Sequence, residues 1–280
     1  MMHFLFKVAM ATITFSGPAI ANCSGLSGVC KTSSGTYKIQ LPDNHSSKTP
    51  VVMFLHGYGG SGKAILRNKR IAGPILKRGY ALIAPNAIKN EGARASSWNF
   101  HPDFNRGRDE AAFFKETFDD AIKRFDLDPK NILLAGFSIG GSMTSYIACN
   151  DPISFTAFAP VSGSFWRPHP TSCNRPVKLF HTHGWSDKVV PLEGRKINNN
   201  FIQGDVFYAL NLWRETNQCT QPYAQSISTK GAFMRRKWEN CNQDSALEFA
   251  LFKGGHTVPK GWADMVLNWY ENLPGQALQN

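Results

Sequence analysis

Three residues far apart in this chain, Ser138, Asp187 and His256, have the types and the order needed for covalent catalysis by a serine. A serine hydroxyl is a weak nucleophile until a base takes its proton. The base in turn needs a carboxylate to orient it. Ser138 lies in Gly136-Phe137-Ser138-Ile139-Gly140, a G-x-S-x-G, between the apolar run "NILLA" (131–135) and the helix-like "GSMTSY". A strand running into G-x-S-x-G and then a helix is a sharp elbow that exposes the serine at the carboxyl end of a sheet. The glycines flank the serine because such a turn leaves no room for Cβ atoms.

Chain order narrows the partners. In an elbow of this kind the acid follows the serine and the histidine comes last. The histidines stand at 3, 45, 56, 101, 169, 181, 183 and 256. "VKLFHTHGWSDKVVP" places Asp187 in a loop just past an apolar strand, which leaves His256, in "FKGGHTVPKGW", as the base. Asp205, Asp244 and Glu193 remain open as alternatives for the acid.

A second glycine-rich turn, "HGYGGSGKA" at 56–64, almost spells a phosphate-binding P-loop. Ala64 stands where that motif needs a hydroxyl for Mg²⁺. Following the strand "VVMFL", the loop suits a different anion, the transient alkoxide of an acyl-transfer intermediate. The backbone N–H groups of Tyr58 and Ile139 are the expected oxyanion-hole donors, and His56 is expected to hold the loop.

These residues need a scaffold. Continuous apolar runs at 51–55, 80–84, 131–135, 155–163, 177–183 and 247–252, with an alternating one at 36–41, read as strands. Helical patterns intervene. The clearest starts near Asp109 and repeats Phe114, Phe118, Ile122 and Phe125 on one face, with Asp109 and Glu110 at the end where the helix dipole favours acids. Others follow Gly140 and close the chain at Trp262–Tyr270. The alternation predicts an α/β fold with a mostly parallel sheet and helices on both faces.

Residues 1–21 read as a secretory signal peptide: Lys7, an apolar run, a Gly17-Pro18 break and Ala19-Ile20-Ala21. Asn22, where a lipobox needs a small residue, argues against a lipid anchor on Cys23. The mature chain, 22–280, is then one catalytic domain carrying a net +10, since removing Lys7 takes one charge from +11. Secretion to the medium or the periplasm follows, and no apolar run is long enough for a membrane span. Six cysteines in an exported chain imply disulfides, with fifteen pairings open. Pairing by proximity joins Cys23–Cys30, Cys149–Cys173 and Cys219–Cys241. The basic residues are spread out apart from "MRRKW" at 234–238, which lacks an interleaved stacking motif, so no nucleic-acid partner is expected. His181 and His183 share a strand face as zinc ligands can, but no third ligand lies near, no metal is expected, and His183 is expected instead to make a structural hydrogen bond under the acid loop.

Taken in order, "HGYGGSG", "DPKNILLAGFSIGGSM", "HTHGWSDKVVP", the Cys219–Cys241 segment ending "WENC" and "GGHTVP" resemble the secreted esterase family that groups polyhydroxybutyrate depolymerase-like proteins with feruloyl and acetylxylan esterases. The pieces span about residues 36–265. The resemblance implies an α/β-hydrolase fold, no cofactor, Ser138 as nucleophile, Asp187 as acid, His256 as base and the Cys219–Cys241 bridge. It further implies hydrolysis of polyhydroxyalkanoate-type or feruloyl and acetyl polysaccharide esters, polymeric or small. The chain departs from the family at Ile139, often Ala or Asn there, and at Val258, where a Trp commonly precedes the Pro. Of the aromatics in predicted loops (Tyr58, Trp98, Phe100, Phe165, Trp166, Trp185), Trp185, Trp98 and Trp166 are the expected substrate contacts, Trp185 first, two residues before the acid. A serine peptidase of the same fold and a binding protein on a hydrolase scaffold are the alternatives.

Overall fold

Short apolar runs alternating with amphipathic stretches assemble one ten-stranded sheet with helices on both faces. The computed structural model describes residues 23–274 apart from 48, 90–91, 102 and 104–106, so the expected signal peptide, 1–21, lies outside the described residues. The elements run β1 (Cys30–Lys31), β2 (Thr36–Gln40), β3 (Thr49–Leu55), α1 (Gly62–Arg67), α2 (Ala72–Lys77), β4 (Ala81–Pro85), α3 (Glu110–Phe125) and β5 (Leu127–Phe137). There follow α4 (Ile139–Asn150), β6 (Ala157–Val161), β7 (Trp166–Arg167), β8 (Lys178–Gly184), β9 (Ile202–Gln203), α5 (Val206–Thr216), β10 (Ser226–Lys230), β11 (Phe233–Trp238), β12 (Ala246–Phe252) and α6 (Trp262–Glu271). The sheet order is β1-β2-β4-β3-β5-β6-β8-β12-β11-β10. From β4 through β12 the strands pair in parallel, and antiparallel strands extend both edges.

The central parallel strands are largely apolar because both faces are covered, whereas the edge hairpin β10–β11 is polar and mostly exposed. Along β3, Met53 and Leu55 face a core built with α3, α4 and α5, while Val52 and Phe54 face one built with α1, α2 and α6. Phe113, Phe114, Tyr146 and Trp213 fill the first core, and Ile65, Ile75, Trp262 and Trp269 the second. Helix α3 follows its expected pattern: the Asp109 side chain caps it by accepting from the Ala112 N–H at 3.1 Å, and Phe114 and Phe118 are buried. The hairpin β10–β11, with "MRRKW" inside it, and helices α1, α2 and α5 are not apparent from apolar periodicity. The expected strand at 155–163 stops at Val161, because Ser162 turns with φ 48°. Disulfides join Cys23–Cys30, Cys149–Cys173 and Cys219–Cys241. Among the described residues no helix is long and apolar enough to cross a membrane.

Parallel strands end on the same side. Leu55, Phe137, Gly184 and Phe252, the last residues of β3, β5, β8 and β12, therefore bring their following loops to one edge, where open α/β sheets bind ligands.

Candidate active site

Ser138 joins β5 to α4 with φ 59° and ψ −124°, a conformation an L-residue adopts only under constraint. Two hydrogen bonds hold it there: its N–H donates to the Val161 carbonyl at 2.9 Å, and its own carbonyl accepts from the Ser142 N–H at 2.9 Å. The flanking glycines are sterically required. A Cβ on Gly136 would lie 2.3 Å from the Gly140 carbonyl oxygen, and one on Gly140 would lie 2.3 Å from that of Leu55. Backbone thus packs on backbone on both sides of the serine, which is the physical content of the G-x-S-x-G spacing.

The loops after β8 and β12 meet because those strands are neighbours. The Trp185 N–H donates to the Phe252 carbonyl at 2.9 Å and the Ser186 N–H to that of Gly254 at 2.9 Å. His256 then stands between Ser138 and Asp187. Its Nδ1 is 2.8 Å from Asp187 Oδ2 and its Nε2 is 2.8 Å from Ser138 Oγ. A carboxylate oxygen only accepts, so the proton sits on Nδ1, and Nε2 is left to accept from the serine hydroxyl. Phe137 packs on the imidazole with ring centroids 4.7 Å apart.

Asp187 is almost wholly buried, at 5% exposure. Burial pushes its carboxyl up, but the hydrogen bond from His256 and the backbone N–H groups of Val190 and Val189 outweigh burial and hold it below the ordinary carboxylate value. Beneath it lies a chain of buried donors and acceptors. His183 Nε2 donates to the Val190 carbonyl at 2.8 Å, so its Nδ1 is free to accept. His181 Nε2 donates to that Nδ1 at 3.0 Å. Burial lowers the affinity of both rings for a second proton, so both stay neutral and the direction of the chain is fixed. The hydrogen bond of His183 under the acid loop agrees with the role expected of it; its partner Val190 and its contact with His181 Nε2 are not legible in the sequence.

Across the site, the loop after β3 is pinned by His56. Its Nε2 accepts from the Ala87 N–H at 3.1 Å, so its Nδ1 donates to the Gly57 carbonyl at 2.8 Å. Among the described residues neither the Tyr58 N–H nor the Ile139 N–H donates to a protein acceptor. Ile139 opens α4, where the first N–H groups have no intrahelical partner.

The aromatic expectations divide. Trp185 is 64% exposed beside the acid loop. Trp98 is fully buried, and the structure corrects its expected role as a substrate contact: its Nε1 donates to the His56 carbonyl at 2.8 Å, and its ring packs on His56 and Phe114. A buried indole N–H needs an acceptor, and here the pairing stiffens the glycine loop. Trp166 is likewise buried, packed among Phe100 and Phe201.

Known proteins share this arrangement of elements. A family model described as phospholipase/carboxylesterase matches residues 37–207. The bifunctional acetylxylan esterase/xylanase XynS20E of Neocallimastix patriciarum is 26% identical over 259 residues, covering 86% of this chain and 34% of that protein. The chain therefore spans about a third of that relative. Feruloyl esterase D of Neurospora crassa is 24% identical over 253 residues, covering 86% of this chain and 80% of its own length. In fold, the chain is similar to the acetyl xylan esterase from Aspergillus awamori, with a TM-score of 0.66 at 15% identity over 84% of this chain and 93% of that one. The elbow, the parallel sheet and the family match agree: the chain belongs to the phospholipase/carboxylesterase family of α/β-hydrolases and is a carboxylic ester hydrolase.

Proposed function

We propose that this protein is an exported serine esterase that cleaves through an acyl-enzyme, with Ser138 as nucleophile, His256 as general base and acid, and Asp187 as the carboxylate that orients it. The observation carrying this reading is the pair of 2.8 Å contacts through the two nitrogens of His256. As Ser138 Oγ attacks the ester carbonyl, its proton passes to His256 Nε2, and Asp187 stabilises the imidazolium. The Tyr58 and Ile139 N–H groups take the alkoxide, each contributing roughly 3 kcal/mol to the transition state. Collapse breaks the carbonyl–alkoxy bond, and the alcohol leaves with the proton from Nε2. Water, deprotonated by His256, then attacks the acyl-enzyme and frees the acid, and Ser138 regains its proton.

The substrates proposed are feruloyl or acetyl esters of polysaccharides, in line with the names of the relatives, or polyhydroxyalkanoate-type esters. Trp185, exposed beside Asp187, is the proposed aromatic contact. Export is supported by the three disulfides, which persist in oxidising compartments.

The test compares wild type with Ser138→Ala on methyl ferulate, a short 3-hydroxybutyrate oligomer and a nitrophenyl ester. Removal of the nucleophile is expected to lower kcat by about 10⁶-fold on every ester the wild type cleaves, and the preferred ester names the branch. Equal rates in the two proteins would remove Ser138 from the mechanism.

A further inference from the structure

A cavity of about 270 Å³ opens against His256 on the side facing α1 and α2. Asn68, Arg70, His256 and Thr257 supply its polar lining. Ile65, Ile71 and Val258 make apolar walls, and Phe137 closes it behind the imidazole. No carboxylate lines it. Its only cation, Arg70, is exposed and pairs with no group among the described residues. The Arg70 N–H donates to Asn68 Oδ1 at 3.0 Å, which fixes the turn carrying both side chains.

The chain segment that carries Arg70 holds charge of one sign. Residues 63–70 read "KAILRNKR": Lys63, Arg67, Lys69 and Arg70, with no acid. All four are exposed, and none joins an ion pair among the described residues. Elsewhere the basic surface is partly neutralised. In "MRRKW", Arg235 pairs with Glu248 and Lys237 lies 3.4 Å from Glu239. Of these four only Arg70 lines the cavity, and an unneutralised cation on a cavity wall attracts ligands of the opposite charge.

The position of the cavity says which part of a substrate would enter it. On the proposed mechanism His256 Nε2 gives its proton to the departing alcohol, so that oxygen must lie against the imidazole. A substituent on that alcohol then lies next to the imidazole, and this cavity is the neighbouring space that the imidazole walls. We infer that this space is a leaving-group subsite for a carboxylate: Arg70, with the Asn68 amide, recognises esters whose alcohol part is itself a hydroxy acid. The inference rests on the esterase reading above and narrows it to esters whose leaving alcohol carries a free carboxylate. A guanidinium supplies a planar pair of donors that fits a carboxylate. The apolar walls suit the carbon skeleton between that carboxylate and the ester oxygen.

The probes are 3-(butanoyloxy)benzoate and its methyl ester, which differ in charge at one point of the leaving group. Their kcat/KM values are each normalised to spontaneous hydrolysis. Wild type is expected to favour the free acid about tenfold, the scale of a charge-assisted contact at an exposed site. Arg70→Ala should bring the ratio to about one and Arg70→Glu should invert it, while Lys69→Ala should leave most of it. Matched thermal melts check that each variant is folded. A wild-type ratio at or below one overturns the subsite, as does a ratio that Arg70→Glu leaves unchanged or that Lys69→Ala lowers as far as Arg70→Ala does. If the methyl ester is still cleaved in those cases, the esterase reading stands. If wild type cleaves neither probe nor a nitrophenyl ester, both fail.

Discussion

The proposed nucleophile, Ser138, and the proposed acid, Asp187, are held in place by different physics. Ser138 is fixed by exclusion in addition to its two backbone hydrogen bonds: two glycines let backbone approach backbone, and the turn leaves the serine at φ 59°. Asp187 is fixed by attraction. Its Oδ1 accepts from the Val189 and Val190 N–H groups, both at 2.9 Å, and the Val190 carbonyl is held from below by His183. A sterically fixed residue tolerates almost no added volume but needs few partners. A hydrogen-bonded residue tolerates changes of shape and fails when a donor or a charge is lost. Substitution on each side should therefore fail in a different way.

The sharpest break in this comparison is Asp187→Asn. The amide keeps the shape of the acid but cannot stabilise the imidazolium, and its NH₂ group favours the wrong tautomer of His256. A kcat lower by on the order of 10⁴-fold is expected, with KM little changed, read on a nitrophenyl ester. The substitution should also change the acid limb of stability. The Asp187 carboxyl is held below its ordinary value of 3.8 when folded, so the unfolded chain binds its proton first as pH falls. Its contribution is complete above the ordinary value and is lost as pH drops through the folded one. Tm of Asp187→Asn should therefore converge on wild type in acid, and a constant offset at every pH would contradict this.

On the nucleophile's side, Gly140→Ala adds one carbon. That carbon meets the Leu55 carbonyl oxygen at 2.3 Å and the His56 carbonyl oxygen at 2.7 Å, backbone atoms that cannot rotate away. A loss of about 1–3 kcal/mol on denaturant titration is expected. A fall in kcat of roughly 100-fold should accompany it, because α4 carries the Ile139 N–H and must shift. An unchanged midpoint and rate would show that the elbow is looser than its geometry.

The same contrast explains what could be read in the chain. Steric constraint is local, so the elbow is visible as five consecutive residues, and the burial of both sheet faces as continuous apolar runs. Chain order then supplied Asp187 and His256. The pairing of His183 with Val190, and of Trp98 with His56, depends on neighbours that only the folded sheet provides. Trp98 lies in a predicted loop and looks like a contact residue until its indole N–H is found donating to a buried carbonyl. Charge misleads in a similar way. "MRRKW" stands out in the sequence, yet β12 supplies Glu248 to Arg235, and Arg236 lies over the Trp238 ring. Among the cations of 63–70, Lys63 is set off from the other three by Ala64, Ile65 and Leu66, and the unpaired state of all four emerges only once the fold shows which surfaces adjoin them.

The mildest test falls on the acid's support. His183→Leu keeps apolar volume under the loop but removes both ring nitrogens. The Val190 carbonyl loses its donor and His181 Nε2 its acceptor, each buried and each costing about 1–3 kcal/mol if no water replaces the ring. Asp187 keeps its own two N–H donors, so kcat should fall by only about tenfold, and His183→Gln, whose amide can still reach the carbonyl, should recover part of it. Stability separates this role from simple packing. Burial holds both histidines below the ordinary value of 6.5. The unfolded chain therefore takes up protons first as pH falls through that value, and wild-type stability declines with acidification there. His183→Leu deletes one of those sites, so its Tm should fall less steeply over the same range. Parallel slopes in wild type and variant would mean that His183 is not held neutral beneath the loop. The graded response of the acid's side would then need another cause.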